Sequence, residues 1–329
     1  KSTVVNLIMR LYDANQGQIR VDGRDIRDYT LKSLRNAIGV VFQENFLLAG
    51  AIYDNILYAK ADATPEEVFA AARIAQQRLA GLPLERRAAL IAAMRRAAME
   101  NAPALARAAC QETGMGRAED KVEKNLLVAE RTPGTEVLQA QAWTGDRGLT
   151  LVEMAPYGVI GAITPSTNPT STIINNAIGM IAAGNAAVFN AHPGAKACSA
   201  ETVRVLNRAI KGAGGPPDLV TCPAEPTIES AQRLMRNPSV RLLLVTGGPA
   251  VVREAMGSGK KAICAGPGNP PVVVDETADL EQAARDIVKG ASFDNNIVCI
   301  LEKEIIAVDA IADRLKAAIL ARGAVEVGG

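Results

Sequence analysis

Cys299 stands in the segment SFDNNIVCI at 292–300, on an apolar run that follows two asparagines. A thiolate is a soft nucleophile near neutral pH, because a free thiol titrates near about 8.5 and a modest local shift yields useful thiolate. Its attack on a carbonyl carbon puts developing negative charge on oxygen, which preorganised donors must meet. The competing reading is a small core residue in a strand, between Val298 and Ile300, since free cysteine is among the most buried residue types. A Cys–His pair would have to use His192, the single histidine, and zinc sites built on several histidines are excluded. In NAHPGAK that histidine ends a strand in a Pro-Gly loop. LLLVTGG followed by PAVVREAM has the order strand, glycine turn, helix, with Pro249 near the helix start. Helix N-termini of this kind favour phosphate, although VTGG alone is also a plain strand-to-helix turn. GSGKK at 257–261 is not a phosphate loop, because Glu254 holds the first glycine's place and Lys261 replaces Ser/Thr. No GxGxxG is present.

The elements that must hold these groups change character along the chain. Residues 1–60 alternate strand and turn signals: QGQIRVDG ends at an Asp-Gly turn, and IGVVFQ is an apolar run. Thr64-Pro65-Glu66-Glu67 opens a helix, with Thr64 as N-cap and Pro65 at the first position. From about residue 78 an Ala-, Arg- and Leu-rich text has helical periodicity, with Asn101 able to cap a second helix and Gly114 able to close it. A further helix is expected around Glu119 to Arg131. After Leu151 short apolar runs (YGVIGAI, NAAVF, DLVTC, VRLLLV) alternate with helical stretches, which implies βαβ units and a parallel sheet with both faces covered. VVVD and VCILEKEIIAV continue in strand-like fashion.

The bulk numbers narrow the function class. With 329 residues about two domains are expected, and 48% hydrophobic residues can bury a sizeable core. A net charge of +1 argues against a nucleic-acid footprint, which needs a clustered basic face. Five cysteines without a CxxC fit free thiols in a reducing compartment. The most apolar region, 173–189, is too polar for a membrane span, and no signal peptide opens the chain. A cytoplasmic chain is expected.

Two families are recognisable in the text. Residues 1–75, through KSTVVNLIMRLYDANQGQIRVDGRDIRDYT and QENFLLAGAIYDNI, resemble a fragment of the nucleotide-binding domain of an ABC exporter. Lys1, Ser2 and Thr3 match the end of its phosphate loop and Gln43 its Q-loop glutamine. The cradling glycines, the signature motif and the acidic Walker B strand are absent, so ATP hydrolysis is not expected. From about 78 to 325 the chain resembles a CoA-acylating aldehyde dehydrogenase, of the acetaldehyde or propionaldehyde type found with bacterial microcompartments. The motifs are ETGMGRAEDKVEKN, APYGVIGAITPSTNPTST, AAGNAAVFNAHPGAK, VTGGPAVVREA, AGPGNPPVVVDETADLEQAA and SFDNNIVCILEKE, in family order. The family continues well beyond Cys299, so a chain truncated within the catalytic domain is expected.

That resemblance implies an α/β fold, a parallel Rossmann-like sheet with helices on both faces, incomplete and preceded by a small α/β segment. It implies divisions at 1–77, 78–150 (helical), 151–262 (dinucleotide-binding) and 263–329 (start of the catalytic domain). It further implies Cys299 as nucleophile and Asn168 as oxyanion donor beside the cysteine's own backbone N–H. Thr246, Gly247 and Gly248 would approach the pyrophosphate of NAD; Ile163, Thr164 and Pro165 would line the nicotinamide side. Asn190 falls where many relatives carry a lysine against the adenine ribose. Ala265 takes the place of the glutamate that activates water in hydrolytic relatives, which favours CoA over water as acyl acceptor. The implied partners are a short-chain aldehyde, CoA, a second copy of the chain and a microcompartment shell, with the microcompartment lumen as an alternative location; no metal is implied. An ABC-type ATP-binding fragment and an inactive chimeric chain are the rival readings.

Overall fold

The computed structural model describes residues 7–36 apart from 9, 11, 12 and 15, residues 65–223 and residues 225–327. Lys1, Ser2, Thr3, Gln43, the expected strand at 38–43 and the Thr64 cap lie outside them. The small leading segment has a two-residue-per-strand ribbon, β1 (Arg20–Val21) and β2 (Arg24–Asp25), and a short helix, α1 (Leu31–Asn36).

Five parallel strands carry the fold, in the order β7-β6-β5-β8-β9. The central one, β5 (Val159–Thr164), reads VIGAIT and is buried throughout, as is β6 (Ala186–Ala191). Runs without alternation are what a sheet covered on both faces requires. β7 (Val220–Thr221), β8 (Val240–Thr246) and β9 (Lys261–Ala265) complete the sheet. The crossovers are α5 (Pro169–Ala182), α6 (Lys196–Gly212), α7 (Ile228–Arg236) and α8 (Pro249–Met256). The chain moves outward from β5 through β6 to β7, then returns to pair β8 with the other side of β5. That reversal leaves a crevice at the carboxyl ends of β5 and β8, the place where open α/β sheets bind ligands.

Upstream helices pack on this sheet. α2 (Pro65–Ala80) runs through the boundary expected near residue 77, and its Phe69, Ala72, Ala75 and Leu79 belong to the same core as β5 and β6. α3 (Leu84–Thr113) is a single helix, not the two expected. Asn101 does not cap; its Nδ2 donates to the carbonyl of Ala97 at 2.8 Å. Pro103 removes one backbone donor, but the buried stripe from Leu90 through Met94, Ala98 and Leu105 to Ala109 holds the helix together across it. Gly114, at φ +66°, closes it as expected, donating to Cys110 O at 2.9 Å. α4 (Ala118–Arg131) follows. An antiparallel hairpin then appears that periodicity did not reveal, β3 (Gln141–Gly145) with β4 (Gly148–Val152), exposed on both faces. The carboxyl-terminal part pairs β10 (Pro271–Val274) with β11 (Glu304–Ala307) in parallel, with α9 (Leu280–Ser292) and α10 (Asp309–Leu320) forming a separate small core on them. Among the described residues no helix is long and apolar enough to cross a membrane.

Gly161 shows how tightly the central strand is packed. A Cβ there would lie 3.1 Å from the side chains of Leu234, Leu243 and Val240. Gly161→Ala should therefore cost roughly 1–3 kcal/mol and lower the melting temperature by several degrees, read by thermal unfolding.

Candidate active site

A cleft of about 640 Å³ opens at the carboxyl ends of the parallel strands. Ile163, Thr164 and Pro165 enter it from the end of β5, Asn168 from the loop that follows, and Asn190 from the end of β6. Thr246, Gly247 and Gly248 come from the β8–α8 turn, and Cys299 from the loop after α9. The nine positions expected to act as nucleophile, oxyanion donor or cofactor contact thus line one cavity, brought from four separate stretches of chain; Ala265, at the end of β9, is not among the lining residues, although its neighbours Gly266 to Gly268 are.

Cys299 is not in a strand. After α9 the backbone turns through Asp294, Asn295 and Asn296, with φ of 47°, 54° and 57°. Left-handed backbone is tolerated best by Asp and Asn among non-glycine residues. Cys299 then sits in a turn closed by Leu301 N donating to Val298 O at 3.2 Å. Lys303 Nζ ties this loop down from below, donating to Asn296 O at 2.8 Å, Val298 O at 3.3 Å and the Asn296 side chain. Gly268 abuts the loop as well: a Cβ at Gly268 would overlap the Cys299 carbonyl oxygen, with the carbonyl carbon at 3.1 Å. The thiol is half-buried.

Asn168 stands at the N-cap of α5, where its carbonyl accepts from Thr172 N at 3.1 Å, but its side chain does not cap the helix. Nor does that side chain bond its own backbone, the ordinary behaviour of a turn asparagine. Its Oδ1 accepts from Lys124 Nζ at 2.6 Å, and its Nδ2 donates to Thr167 Oγ1 at 3.1 Å. Lys124 and Lys121 rise from one face of α4 to the buried carboxylate of Asp294; Lys121 Nζ lies 3.1 Å from Asp294 Oδ2, and Lys124 pairs with the same oxygen. Asp294 Oδ1 also accepts from Arg117 N at 2.8 Å, and Lys121 Nζ donates to Thr167 O at 3.1 Å. Burial pushes the Lys124 ammonium below its usual range, and the hydrogen bond to Asp294 offsets only part of this. The sequence reading passed over these lysines because charged residues on an amphipathic helix ordinarily face water. The available signal was that 121, 124, 125 and 129 make one stripe, the buried one.

Asn190 is buried, and its Oδ1 accepts from the Ser230 hydroxyl at 2.6 Å. Ser230 and Thr227 form the reciprocal cap of α7. His192 ends β6 as expected and is exposed at the cleft, its Nδ1 accepting from Gly194 N at 3.1 Å. The glycine turn leaves backbone accessible: a Cβ at Gly248 would meet no atom within 4 Å, and Pro249 opens α8 directly after it. The Thr164 hydroxyl oxygen is buried with no hydrogen-bond partner among the described residues. The open glycine turn at the start of α8 leaves room for an extended anionic ligand such as a dinucleotide. No Asp or Glu is among the described residues lining the cleft. Among the described residues no group of His, Cys, Asp and Glu could hold a metal ion.

The Cys198 thiol differs from that of Cys299 in setting. Cys198 is buried, and burial, then the Glu112 carboxylate, push its thiol up to about 12. Iodoacetamide at pH 8 should leave Cys198 unmodified in the folded protein while Cys299 is alkylated, read by peptide mass spectrometry; alkylation of Cys198 first would contradict this placement.

A family model described as the aldehyde dehydrogenase family matches residues 52–328, opening ahead of the boundary expected near residue 77. An acetaldehyde dehydrogenase (acetylating) of Bilophila wadsworthia is 56% identical over 263 residues, covering 80% of this chain and 54% of that protein. The structure of a propionaldehyde dehydrogenase from the Clostridium phytofermentans fucose utilisation bacterial microcompartment superposes with a TM-score of 0.75 at 49% identity, covering 78% of this chain and 59% of that one. A Rhodopseudomonas palustris propionaldehyde dehydrogenase with bound propionyl-CoA gives 0.78 at 48% identity, with 83% and 62% covered. The chain spans about half the length of the curated relatives it matches.

Proposed function

The chain belongs to the aldehyde dehydrogenase family, and from that membership we propose that it carries the nucleophile and the oxyanion donor of a CoA-acylating aldehyde dehydrogenase. The reaction interconverts a short-chain aldehyde, CoA and NAD with acyl-CoA and NADH. The observation that carries this reading is the cleft itself, where Cys299, Asn168 and an open glycine turn meet without any carboxylate among the described lining residues.

The thiolate of Cys299 attacks the aldehyde carbon, a C–S bond forms, and the carbonyl electrons move onto oxygen. The Asn168 amide and the Cys299 backbone N–H donate to that oxygen. NAD bound in the cleft would supply the acceptor for the hydride lost from this carbon. The carbonyl re-forms as a thioester on Cys299. The thiolate of CoA then attacks it, the bond to Cys299 breaks, and acyl-CoA departs with one proton released overall. CoA is favoured over water because no Asp or Glu is among the described residues lining the cleft to activate a water molecule. Residues 246–248 would hold the pyrophosphate, Ile163, Thr164 and Pro165 would flank the nicotinamide, and Asn190 would meet the adenine ribose.

Within this reading residues 78–150, helical up to the β3–β4 hairpin, precede the dinucleotide-binding part at 151–262 and the start of the catalytic part at 263–329, a division that falls within β9. The microcompartment origin of one relative supports a microcompartment lumen as the site of action and its shell as a partner; a second copy of the chain is a further proposed partner. The ATP-binding alternative draws on Lys1, Ser2, Thr3 and Gln43, all outside the described residues, and no observation favours it.

The test supplies propionyl-CoA and NADH to the purified protein. NADH oxidation and free CoA thiol should appear one to one. NADH oxidation without thiol release, or carboxylic acid as the product of the forward reaction, overturns the proposal.

A further inference from the structure

We propose that Lys124 is a positioning residue, which holds the Asn168 amide with its oxygen away from the reacting carbonyl and its nitrogen free to donate to it. This deepens the reading of Asn168 as oxyanion donor and rests on it. An amide side chain can be turned over at little cost, and only its N–H face stabilises an oxyanion. An ammonium has donors and no acceptor, so the atom that faces Lys124 at 2.6 Å has to be Oδ1. The opposite end is then NH2, which carries two hydrogens, and Thr167 Oγ1 takes one of them at 3.1 Å.

Charge counting separates this role from plain stabilisation. Lys121, at 3.1 Å, already neutralises the buried Asp294 carboxylate. Lys124 is a second buried cation on the same carboxylate, and burial disfavours its charged form. A second desolvated charge is a poor source of stability. Its other acceptor is Asn168 Oδ1. Asp294 lies on the loop that carries Cys299, so the chain Asp294–Lys124–Asn168 also ties nucleophile and donor to one buried anchor.

The experiment is a double-mutant cycle in the full chain with propionyl-CoA and NADH, each variant checked for folding by thermal melting. Lys124→Met leaves the Lys121–Asp294 pair intact and should lower kcat by about 30-fold with KM within about threefold. In an Asn168→Ala background the same substitution should cost no more than about twofold. Lys124→Gln, which keeps an N–H donor without the charge, should recover most of the rate and carries the test if the Met variant fails to fold. Additive losses at Lys124 and Asn168, or equal losses in the Met and Gln variants, overturn the proposal. Absence of turnover in the unsubstituted chain sinks the dehydrogenase reading alone. The orientation is then read from the side-chain amide resonances of Asn168 in protein labelled at asparagine. These should exchange with water faster in Lys124→Met; unchanged exchange overturns the proposal.

Discussion

Cys299→Ala should lower kcat for propionyl-CoA reduction by about 10⁴-fold or more, while the cofactor's dissociation constant stays within about twofold. A methyl group cannot form the C–S bond, so both half-reactions lose their intermediate at once. The residues proposed to hold the cofactor come from β5, β6 and the β8–α8 turn, not from the loop of Cys299. The loop's shape is set by Asp294, Asn296 and Lys303 rather than by the thiol, so the fold should survive. Mass spectrometry of the unsubstituted protein with propionyl-CoA should find an acyl adduct on Cys299 that the Ala variant lacks. Turnover surviving the substitution would remove the covalent mechanism.

Gly268→Ala should cost about 10²-fold in kcat through the same cysteine without touching its sulfur. The added methyl would overlap a backbone carbonyl oxygen, which cannot rotate aside as a flexible side chain would. The Cys299 turn cannot retreat freely either, because hydrogen bonds from Lys303 to Asn296 O and Val298 O and from Asn296 to Glu302 O hold it. A displacement of about 1 Å at a nucleophile is enough for a loss of that size. The alkylation rate of Cys299 should change as well. Gly266→Ala is the control: its methyl would meet no atom within 4 Å, and the alkylation rate should stay as it was. Equal behaviour of the two variants would mean that the Gly268 contact does not set the loop.

Much of the architecture could be read from local text. VIGAIT and AAVFNA are continuous apolar runs, and the sheet buries both faces of each. Five of the six motifs that carried the family resemblance contribute residues to the cleft, and the sixth, at 112–125, supplies Lys121 and Lys124 behind it. What escaped was whatever depended on distant partners. Asn101 and Pro103 read locally as a helix start, and only the buried stripe of α3 overrides them. IVCI reads as a strand, yet three left-handed residues and the Lys303 anchor make it a turn. Lys121 and Lys124 look solvated until Asp294, far along the chain, closes over them. The hairpin β3–β4 has no buried face, and the alternation of Leu149, Thr150 and Leu151 is too short to set it apart from a loop.

The reversal of direction in the sheet has a consequence for synthesis. β5 meets β6 as soon as both have left the ribosome, but its other flank waits for β8, which comes after all of β7 and α7. At ordinary elongation rates that gap is on the order of ten seconds. For that interval the middle of the future sheet has an unpaired apolar margin, and the nascent chain is most vulnerable to aggregation and most in need of a chaperone then.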